Sequence, residues 1–150
     1  MNVIAKNKKA FYEYFINDTL EAGIALNGDE VKSLREGKVS INEAFAETDN
    51  GELWLINANI SSYKNSSKIL ISDEKRKRKL LVKKKDISTF QGKVEREGYT
   101  IVPIKIYFNK KGIAKVEIAV AKGKKLYDKR EDKKKKDWNK QKQRLLRNFK

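Results

Sequence analysis

The chain has 150 residues, of which 39% are hydrophobic and 37% charged, and its formal net charge at pH 7 is +16. It contains neither cysteine nor histidine, which excludes disulfides, thiolate metal sites and the serine, cysteine and zinc hydrolases that depend on histidine. So large a positive charge favours a polyanionic partner, either nucleic acid or an anionic membrane surface. No apolar run is long enough to span a bilayer and no signal peptide is visible. The absence of cysteine fits a reducing cytoplasm, where we expect the protein to act.

The first part of the chain carries strand signals followed by a helix signal. The aromatic segment "FYEYFI" (11–16) has strand propensity, and "EAGIALNG" (21–28) places apolar residues at every second position. The apolar spacing then changes to that of a helix, which we predict over 30–36, with Asp29 as its N-cap and Gly37 at its end.

A hairpin and a longer helical segment come next. The segment "AFAETDNGELWLINANI" (44–60) has the pattern of two strands joined by the turn sequence "DNG". Apolar residues then recur at helical spacing within 73–97, where Ser72 and Asp73 are candidate caps. We predict a helix over 73–97 with a break near Asp86.

Two alternating segments, 99–108 and 113–121, are joined by "NKKG" and predict a second hairpin. Pro103 cannot donate a ladder hydrogen bond, so it marks a sheet edge or a bulge. Five or six antiparallel strands with short flanking helices predict a mainly β protein, specifically a small closed barrel of the OB type. We assign this domain to residues 1–122 and a basic tail to 123–150.

A dense basic cluster, "KRKRKLLVKKK", occupies 75–85 and holds eight Lys and Arg residues. In the predicted helix, Lys75 and Lys79 stand four residues apart, as do Lys79 and Lys83, and like charges at this spacing repel. RNA phosphates would neutralise them, whereas a merely solvated helix face is the alternative. We therefore predict RNA contacts by Arg78 and Lys79.

No catalytic pattern is visible among the carboxylates, and neither a phosphate-binding glycine loop nor an acidic metal motif is present. We therefore expect no enzyme activity, no metal and no cofactor. Aromatic rings can serve an OB barrel as base-stacking platforms, and the candidates for exposure are Tyr12, Tyr14 and Tyr107. The aromatic residues that we assign to the core are Phe11, Phe15, Trp54, Phe90 and Phe108.

The segment 123–150 carries 13 basic and 4 acidic side chains, a net charge of +9 and over half of the chain's total. Asp128 and the glutamate three residues later have the spacing of a capping box. Because few apolar residues follow, burial cannot offset the backbone entropy of about 1–2 kcal/mol per residue. We expect this tail to be disordered when free and helical on a polyanionic surface. Such a helix would align the apolar residues Trp138, Leu145, Leu146 and Phe149.

Several strings carry a family resemblance that runs in order through almost the whole chain. They are "NKKA" (7–10), "EAGIALNGDEVKSLREG" (21–37), "RKRKLL" (76–81), "GYTIVPIKIYF" (98–108) and "KVEIAVAKGKKLYDKRE" (115–131). In these strings the chain resembles the small protein B family, the SsrA-binding proteins of bacterial trans-translation. The resemblance implies an OB-type barrel that binds the tRNA-like domain of transfer-messenger RNA.

The resemblance also implies a role on the ribosome. The barrel would stand where an anticodon stem sits near the 16S rRNA decoding centre, and the tail would become helical in the empty mRNA channel. The implied partners are transfer-messenger RNA, the ribosome and, indirectly, elongation factor Tu. The implied setting is a monomer in the bacterial cytoplasm, without membrane association.

The resemblance carries residue roles over by position. Positions that match the family's RNA-binding residues are Asn7, Lys8, Glu30, Lys32, Arg35, Lys122, Lys124 and Lys125. Positions that match its ribosome-directed tail are Asp128, Lys129, Arg130, Trp138, Leu145 and Leu146. The segment 64–85 departs from the family pattern because two expected histidines are missing, with Lys83 in the place of one.

Two other functions fit the same charge. A general single-strand-binding OB module would prefer unstructured oligonucleotides to a folded RNA. A basic peripheral membrane protein would bind anionic vesicles through the tail, but that function leaves the barrel unexplained.

Overall fold

The computed structural model of this protein describes residues 2–61 and 74–124. Three helices lie within these residues, α1 (Lys8–Glu13), α2 (Gly28–Arg35) and α3 (Lys84–Glu97). The first six strands are β1 (Asn2–Lys6), β2 (Tyr14–Ile24), β3 (Val39–Ser40), β4 (Phe45–Asp49), β5 (Glu52–Ile56) and β6 (Asn59–Ile60). The remaining strands are β7 (Arg78–Leu81), β8 (Thr100–Phe108) and β9 (Ala114–Gly123). The prediction of a mainly β protein with short helices is confirmed.

Seven strands form one antiparallel sheet in the order β1-β8-β4-β5-β7-β2-β9. Strand β9 pairs with β2 and also with β8, so β8 pairs with three strands, β1, β4 and β9. Strands β3 and β6 form a separate two-stranded sheet. None of the helices within 2–61 and 74–124 is long and apolar enough to cross a membrane.

The core lies between the inner faces of these strands and the apolar sides of α2 and α3. Leu34 of α2, Ile87 and Phe90 of α3, and Ile106 and Val116 of the β8–β9 hairpin belong to one buried cluster. Burying an aliphatic or aromatic side chain of this size contributes about 1.5–3 kcal/mol. Period-two burial in the first half of β9 reflects the alternation of its sequence, which confirms the predicted strand.

Both predicted hairpins are present. Asn50 and Gly51 connect β4 to β5 with φ angles of 53° and 75°, and a type I′ turn needs positive φ at both central residues. In β8 the register shifts between Pro103 and Lys105. Pro103 therefore marks a bulge in a strand with neighbours on both sides, one of the two placements that its missing N–H group allows.

The predicted strand over 11–16 is wrong in its first half. Residues 8–13 form α1, whose N-cap is Asn7, and β2 begins only at Tyr14. The Asn7 side chain accepts a hydrogen bond from the amide of Ala10 at 3.0 Å. This cap starts a helix that the strand propensity of the aromatic residues did not suggest.

The N-cap of α2 is Asn27 and not Asp29. The Asn27 side chain accepts from the Glu30 amide at 2.9 Å, and the Glu30 carboxylate accepts from the Asn27 amide at 3.0 Å. This reciprocal capping box satisfies two amides that the first helical turn leaves without partners. The end of the helix agrees with the prediction, since Gly37 follows it with φ +75°.

The predicted helix over 73–97 is wrong in its first half. Residues 78–81 form β7, which lies between β5 and β2, and the helix begins at Lys84, ahead of the break predicted at Asp86. Helical repulsion between Lys75 and Lys79 therefore does not arise. The candidate caps at 72 and 73 lie outside the described residues. So does 125–150, and the domain boundary and the tail helix stay predictions.

Candidate nucleic-acid interface

The residues that the sequence assigned to RNA binding divide by burial. Those that are exposed or partly exposed are Lys8 on α1, Lys32 and Arg35 on α2, Lys79 on β7, Lys122 on β9, and Lys124. Three residues of the same assignment are buried, namely Asn7, Glu30 and Arg78. Exposed cations can contact phosphates, whereas the buried group acts only through what it positions.

Asn7 joins α1 to the bulge of β8. Its side-chain amide donates to the Pro103 carbonyl at 2.8 Å, its side-chain oxygen caps α1, and its backbone amide donates to the Ile104 carbonyl at 2.8 Å. With 2% exposure, Asn7 has its polar atoms turned inward. It therefore fixes the start of α1, on which Lys8 is the first residue.

Glu30 and Arg78 form a buried ion pair between α2 and β7. The Arg78 Nε donates to the Glu30 Oε2 at 2.5 Å, and Arg76 adds a second guanidinium to the same carboxylate. The other nitrogens of Arg78 donate to the carbonyls of Ala58 at 2.8 Å and Glu74 at 2.9 Å. Arg78 is 0% exposed, so its guanidinium has no surface to offer a phosphate, contrary to the predicted direct contact.

The protonation of Glu30 follows from these neighbours. Burial by itself raises the pKa of a carboxyl group, but the hydrogen bonds from Arg76, the Asn27 amide and Arg78 bring the pKa of Glu30 below its usual value. Glu30 is therefore ionised at neutral pH and compensates the charge of Arg78. This is the condition under which a buried ion pair holds a structure together.

The remaining basic residues of the 75–85 cluster point outward and several are paired. Lys79 lies 3.1 Å from Glu52, and Lys77 lies 3.1 Å from Asp49 and 4.8 Å from the ring centroid of Trp54. These pairs are solvent-exposed, so each contributes at most about 1 kcal/mol to stability. An RNA phosphate can exchange for such a carboxylate at small cost, which leaves Lys79 available to a ligand.

A groove beside Leu81 was not anticipated from the sequence. Leu81 is 54% exposed on the outer face of β7 and packs against Gly23 of β2, where an added Cβ would lie 3.1 Å from the Leu81 Cβ. The groove has a volume of about 630 Å³ and is lined by Leu20, Glu21, Gly51, Glu52, Lys79, Leu80, Leu81, Val82, Lys83, Lys84, Asp86 and Ile87. Assigning "RKLL" to a strand would have revealed it, because alternation buries Leu80 and exposes Leu81.

Tyr107 was a candidate for base stacking, and the structure rules this out for its ring, which is only 4% exposed. Its hydroxyl donates to the Glu21 carboxylate, and the Lys105 ammonium lies 5.6 Å from the ring centroid. Burial raises the pKa of the Tyr107 phenol, and Glu21 raises it further. Tyr107 is therefore a neutral hydrogen-bond donor that holds Glu21 at the edge of the groove.

Other aromatic residues depart from the expected arrangement at one end of the molecule. Phe11 and Phe15, assigned to the core, are 55% and 51% exposed, and Tyr12 is exposed as predicted. Phe90 and Phe108 are buried, as expected. The exposed rings lie on α1 and at the start of β2, where the helix turns Phe11 away from the sheet.

The predicted residues of the tail lie outside the part of the chain that the structure describes. These are Lys125, Asp128, Lys129, Arg130, Trp138, Leu145 and Leu146. Within 2–61 and 74–124, no three acidic side chains gather as a group that could hold a metal ion.

Comparisons with known proteins agree on one family. The family model described as "SmpB protein" matches residues 4–148. An SsrA-binding protein of Nitrobacter hamburgensis is 54% identical over 147 residues, which cover 98% of this chain and 93% of that protein. An SsrA-binding protein of Rhodopseudomonas palustris is 53% identical over 147 residues, which again cover 98% of this chain and 93% of that protein. A solved chain described as "tmRNA-SmpB: a journey to the center of the bacterial ribosome" aligns with a TM-score of 0.68 and 48% identity, covering 84% of this chain and 87% of that one.

Replacing Glu30 with Gln should destabilise the protein by about 3 kcal/mol or more, because the charge of Arg78 is left buried and uncompensated. Urea unfolding at neutral pH measures the change. Glu36→Gln is the matched control, since Glu36 pairs with Lys38 at the surface and should cost under about 1 kcal/mol. Equal losses in the two variants would contradict the role given to the buried pair.

The same pair predicts a loss of stability in acid. Because the pKa of Glu30 is lower in the folded protein than its usual 4.5, the unfolded chain takes up this proton first as pH falls. The stabilisation is therefore complete above about pH 4.5 and disappears as pH falls through the folded-state pKa. Urea unfolding at a series of pH values should show a steeper decline for the wild type than for Glu30→Gln. Parallel curves would be the contrary result.

Proposed function

The chain belongs to the SmpB family, the SsrA-binding proteins, and on this premise we propose that it binds transfer-messenger RNA and acts with it on the ribosome in trans-translation. The family match over residues 4–148 carries the proposal. The exposed cations of α1, α2 and β9 supply the chemistry, because affinity for folded RNA comes largely from phosphate contacts.

The scaffold of this proposal is a closed barrel of the OB type. Its support is the pairing order, in which β8, β4, β5, β7, β2 and β9 each pair with the next strand and β9 pairs again with β8. Strand β1 adds to the outside of β8. A barrel holds cations from distant parts of the chain at fixed separations, which suits the recognition of an RNA by its shape.

On this scaffold we assign the residues in two layers. Phosphate contacts fall to the exposed or partly exposed cations Lys8, Lys32, Arg35, Lys79, Lys122 and Lys124, together with Lys125 of the tail. The buried layer positions them, because Asn7 caps the helix of Lys8, and Glu30 with Arg78 fixes the helix of Lys32 and Arg35. The groove beside Leu81 offers apolar contact to an unstacked base or ribose. Proteins that bind single-stranded loops without strong sequence preference commonly use such contacts.

The ribosomal part of the proposal concerns the tail. We propose that the barrel takes the position of an anticodon stem and that 125–150 enters the empty mRNA channel and becomes helical there. Residues Asp128, Lys129 and Arg130 would act in that entry, and Trp138, Leu145 and Leu146 would form the apolar side of the helix. The protein would act as a monomer in the cytoplasm, meet elongation factor Tu only through the RNA, and catalyse no reaction.

One observation favours a second function. The exposed rings of Phe11, Tyr12 and Phe15 are the kind of platform on which single-stranded bases stack. A general single-strand-binding protein would prefer unstructured oligonucleotides, and competition against the folded tRNA-like RNA separates the two. Preference for the folded RNA supports the first proposal, and preference for the oligonucleotide supports the second.

Removing residues 125–150 should leave affinity for the tRNA-like RNA within about threefold of the wild-type value at physiological salt, because the barrel supplies most of the phosphate contacts. Tagging of nascent chains on stalled ribosomes should be lost. A chain with 125–150 shuffled is the matched control, since it keeps the charge of the tail and should also fail to tag. If RNA affinity collapses together with tagging, the separation of barrel and tail is wrong.

Replacing Arg35 or Lys122 with Gln should weaken binding of the tRNA-like RNA. Each substitution removes one phosphate contact and should reduce the slope of log K against log salt by about 0.7–0.9. Lys93→Gln is the control, because Lys93 of α3 is already paired with Asp18 of β2. A salt titration of the binding constant measures the slopes. An equal reduction for Lys93→Gln would mean that the RNA responds to total charge and not to these positions.

A further inference from the structure

Lys124, which directly follows β9, is held against α1 and the start of β2 by its backbone and its side chain. Its backbone amide donates to the Glu13 carbonyl at 2.8 Å, which extends the β2–β9 pairing by one residue beyond β9. Its ammonium donates to the Phe11 carbonyl at 3.3 Å and lies 5.1 Å from the ring centroid of Phe15. The two carbonyls belong to the last turn of α1, where no further helical amides follow to bind them.

The Phe15 ring does not pack into the core, so core packing does not explain why an aromatic residue stands at this position. It is 51% exposed on the outer face of β2, at the position paired with Lys122 of β9. A cation above an aromatic ring is attracted to the negative face of the ring, and the attraction persists at exposed sites. The contact of Phe15 with the Lys124 ammonium is therefore the contribution that distinguishes this ring from another exposed apolar side chain.

The surface that receives Lys124 is itself fixed. Asn7 binds α1 to the β8 bulge through the Pro103 carbonyl, and Ala10 on the inner side of the helix is 1% exposed. Together, α1 and Phe15 therefore present Lys124 with a rigid support on the barrel. The chain continues from this support into 125–150.

We propose that Phe15 is a positioning residue for the tail. With the carbonyls of Phe11 and Glu13 it forms an anchor that fixes Lys124, and thereby the point and direction from which 125–150 leaves the barrel. The proposal rests on the ribosomal role proposed above for the tail. The anchor favours productive entry of the tail because it narrows the directions that the segment must search.

The competing assignment for the same ring is base stacking. If Phe15 stacks on a nucleotide of the RNA, removing the ring lowers RNA affinity. If Phe15 acts through Lys124, removing the ring leaves RNA affinity close to that of the wild type, because Lys124 keeps its charge and is one of seven cations assigned to phosphate contacts. Tagging is then lowered, and a tyrosine restores it because its ring retains the negative face.

The first experiment uses the free protein and measures amide hydrogen exchange at Lys124. Phe15→Leu keeps an apolar side chain but removes the ring face, and exchange at Lys124 should accelerate roughly two- to fivefold. Phe15→Tyr should leave the rate unchanged. Phe45→Leu is the control, because Phe45 is also an exposed ring, on β4, with 36% exposure. Unchanged exchange in Phe15→Leu would overturn the anchor.

The second experiment compares the same variants in RNA binding and in tagging on stalled ribosomes, both with the full chain. Phe15→Leu should bind the tRNA-like RNA within about twofold of the wild type and tag several-fold more slowly, with Phe15→Tyr restoring the rate. A parallel fall in RNA affinity, or normal tagging by Phe15→Leu, would overturn the anchor. Failure of the wild type to bind the RNA or to tag would overturn the proposed function, whereas the exchange measurement still decides whether the anchor exists.

Discussion

The arrangement of this protein depends most on the interactions of the buried Glu30 carboxylate. It binds the guanidinium groups of Arg76 and Arg78 while it also accepts from the amide that begins α2. Arg78 in turn binds the carbonyls of Ala58 and Glu74. One buried negative charge thus connects α2 to β7 and to the chain on either side of 62–73. A buried charge that loses its partner is costly, so these segments are held in one arrangement.

The pair also explains why total charge is a poor guide to the interface. The chain has an excess of 16 positive charges, but its cations serve different purposes. Arg78 is enclosed in the core. Lys77 and Lys79 are paired with carboxylates on the outer face. Arg35 and Lys122 are exposed to solvent. Only the outer groups can exchange water or a carboxylate for a phosphate. The buried cation and its carboxylate fix α2 against β7, the elements that carry Arg35 and Lys79.

The end of the main sheet near α1 shows a second use of a cation. The Lys124 ammonium bridges the Phe11 carbonyl of α1 and the Phe15 ring, directly after the end of β9. A basic segment that continues from a fixed point differs from one that hangs from a flexible linker, because its search for a partner starts from one direction. The anchor proposed above would join the sheet to the basic sequence that follows Lys124.

Local patterns in the sequence by themselves determined the hairpins, the end of α2, the mainly β class and the excess of positive charge near the C-terminus. These features depend on neighbouring residues, such as the positive φ angles that "DNG" adopts or the alternation along β9, and so they are visible in a short window. The family, too, was identifiable from motifs in order along the chain, and the comparisons confirm it.

Only the tertiary structure decided which charged and aromatic residues are available at the surface. Arg78 is buried together with Glu30, a partner 48 positions earlier in the chain. Pairing with β5 and β2 makes a strand of 78–81, a segment that its candidate caps and apolar spacing suggested would be helical. The capping of α1 by Asn7 turned Phe11 outward, and Phe15 meets its cation more than a hundred residues along the chain. Burial depends on contacts between distant segments, and no local pattern contains them.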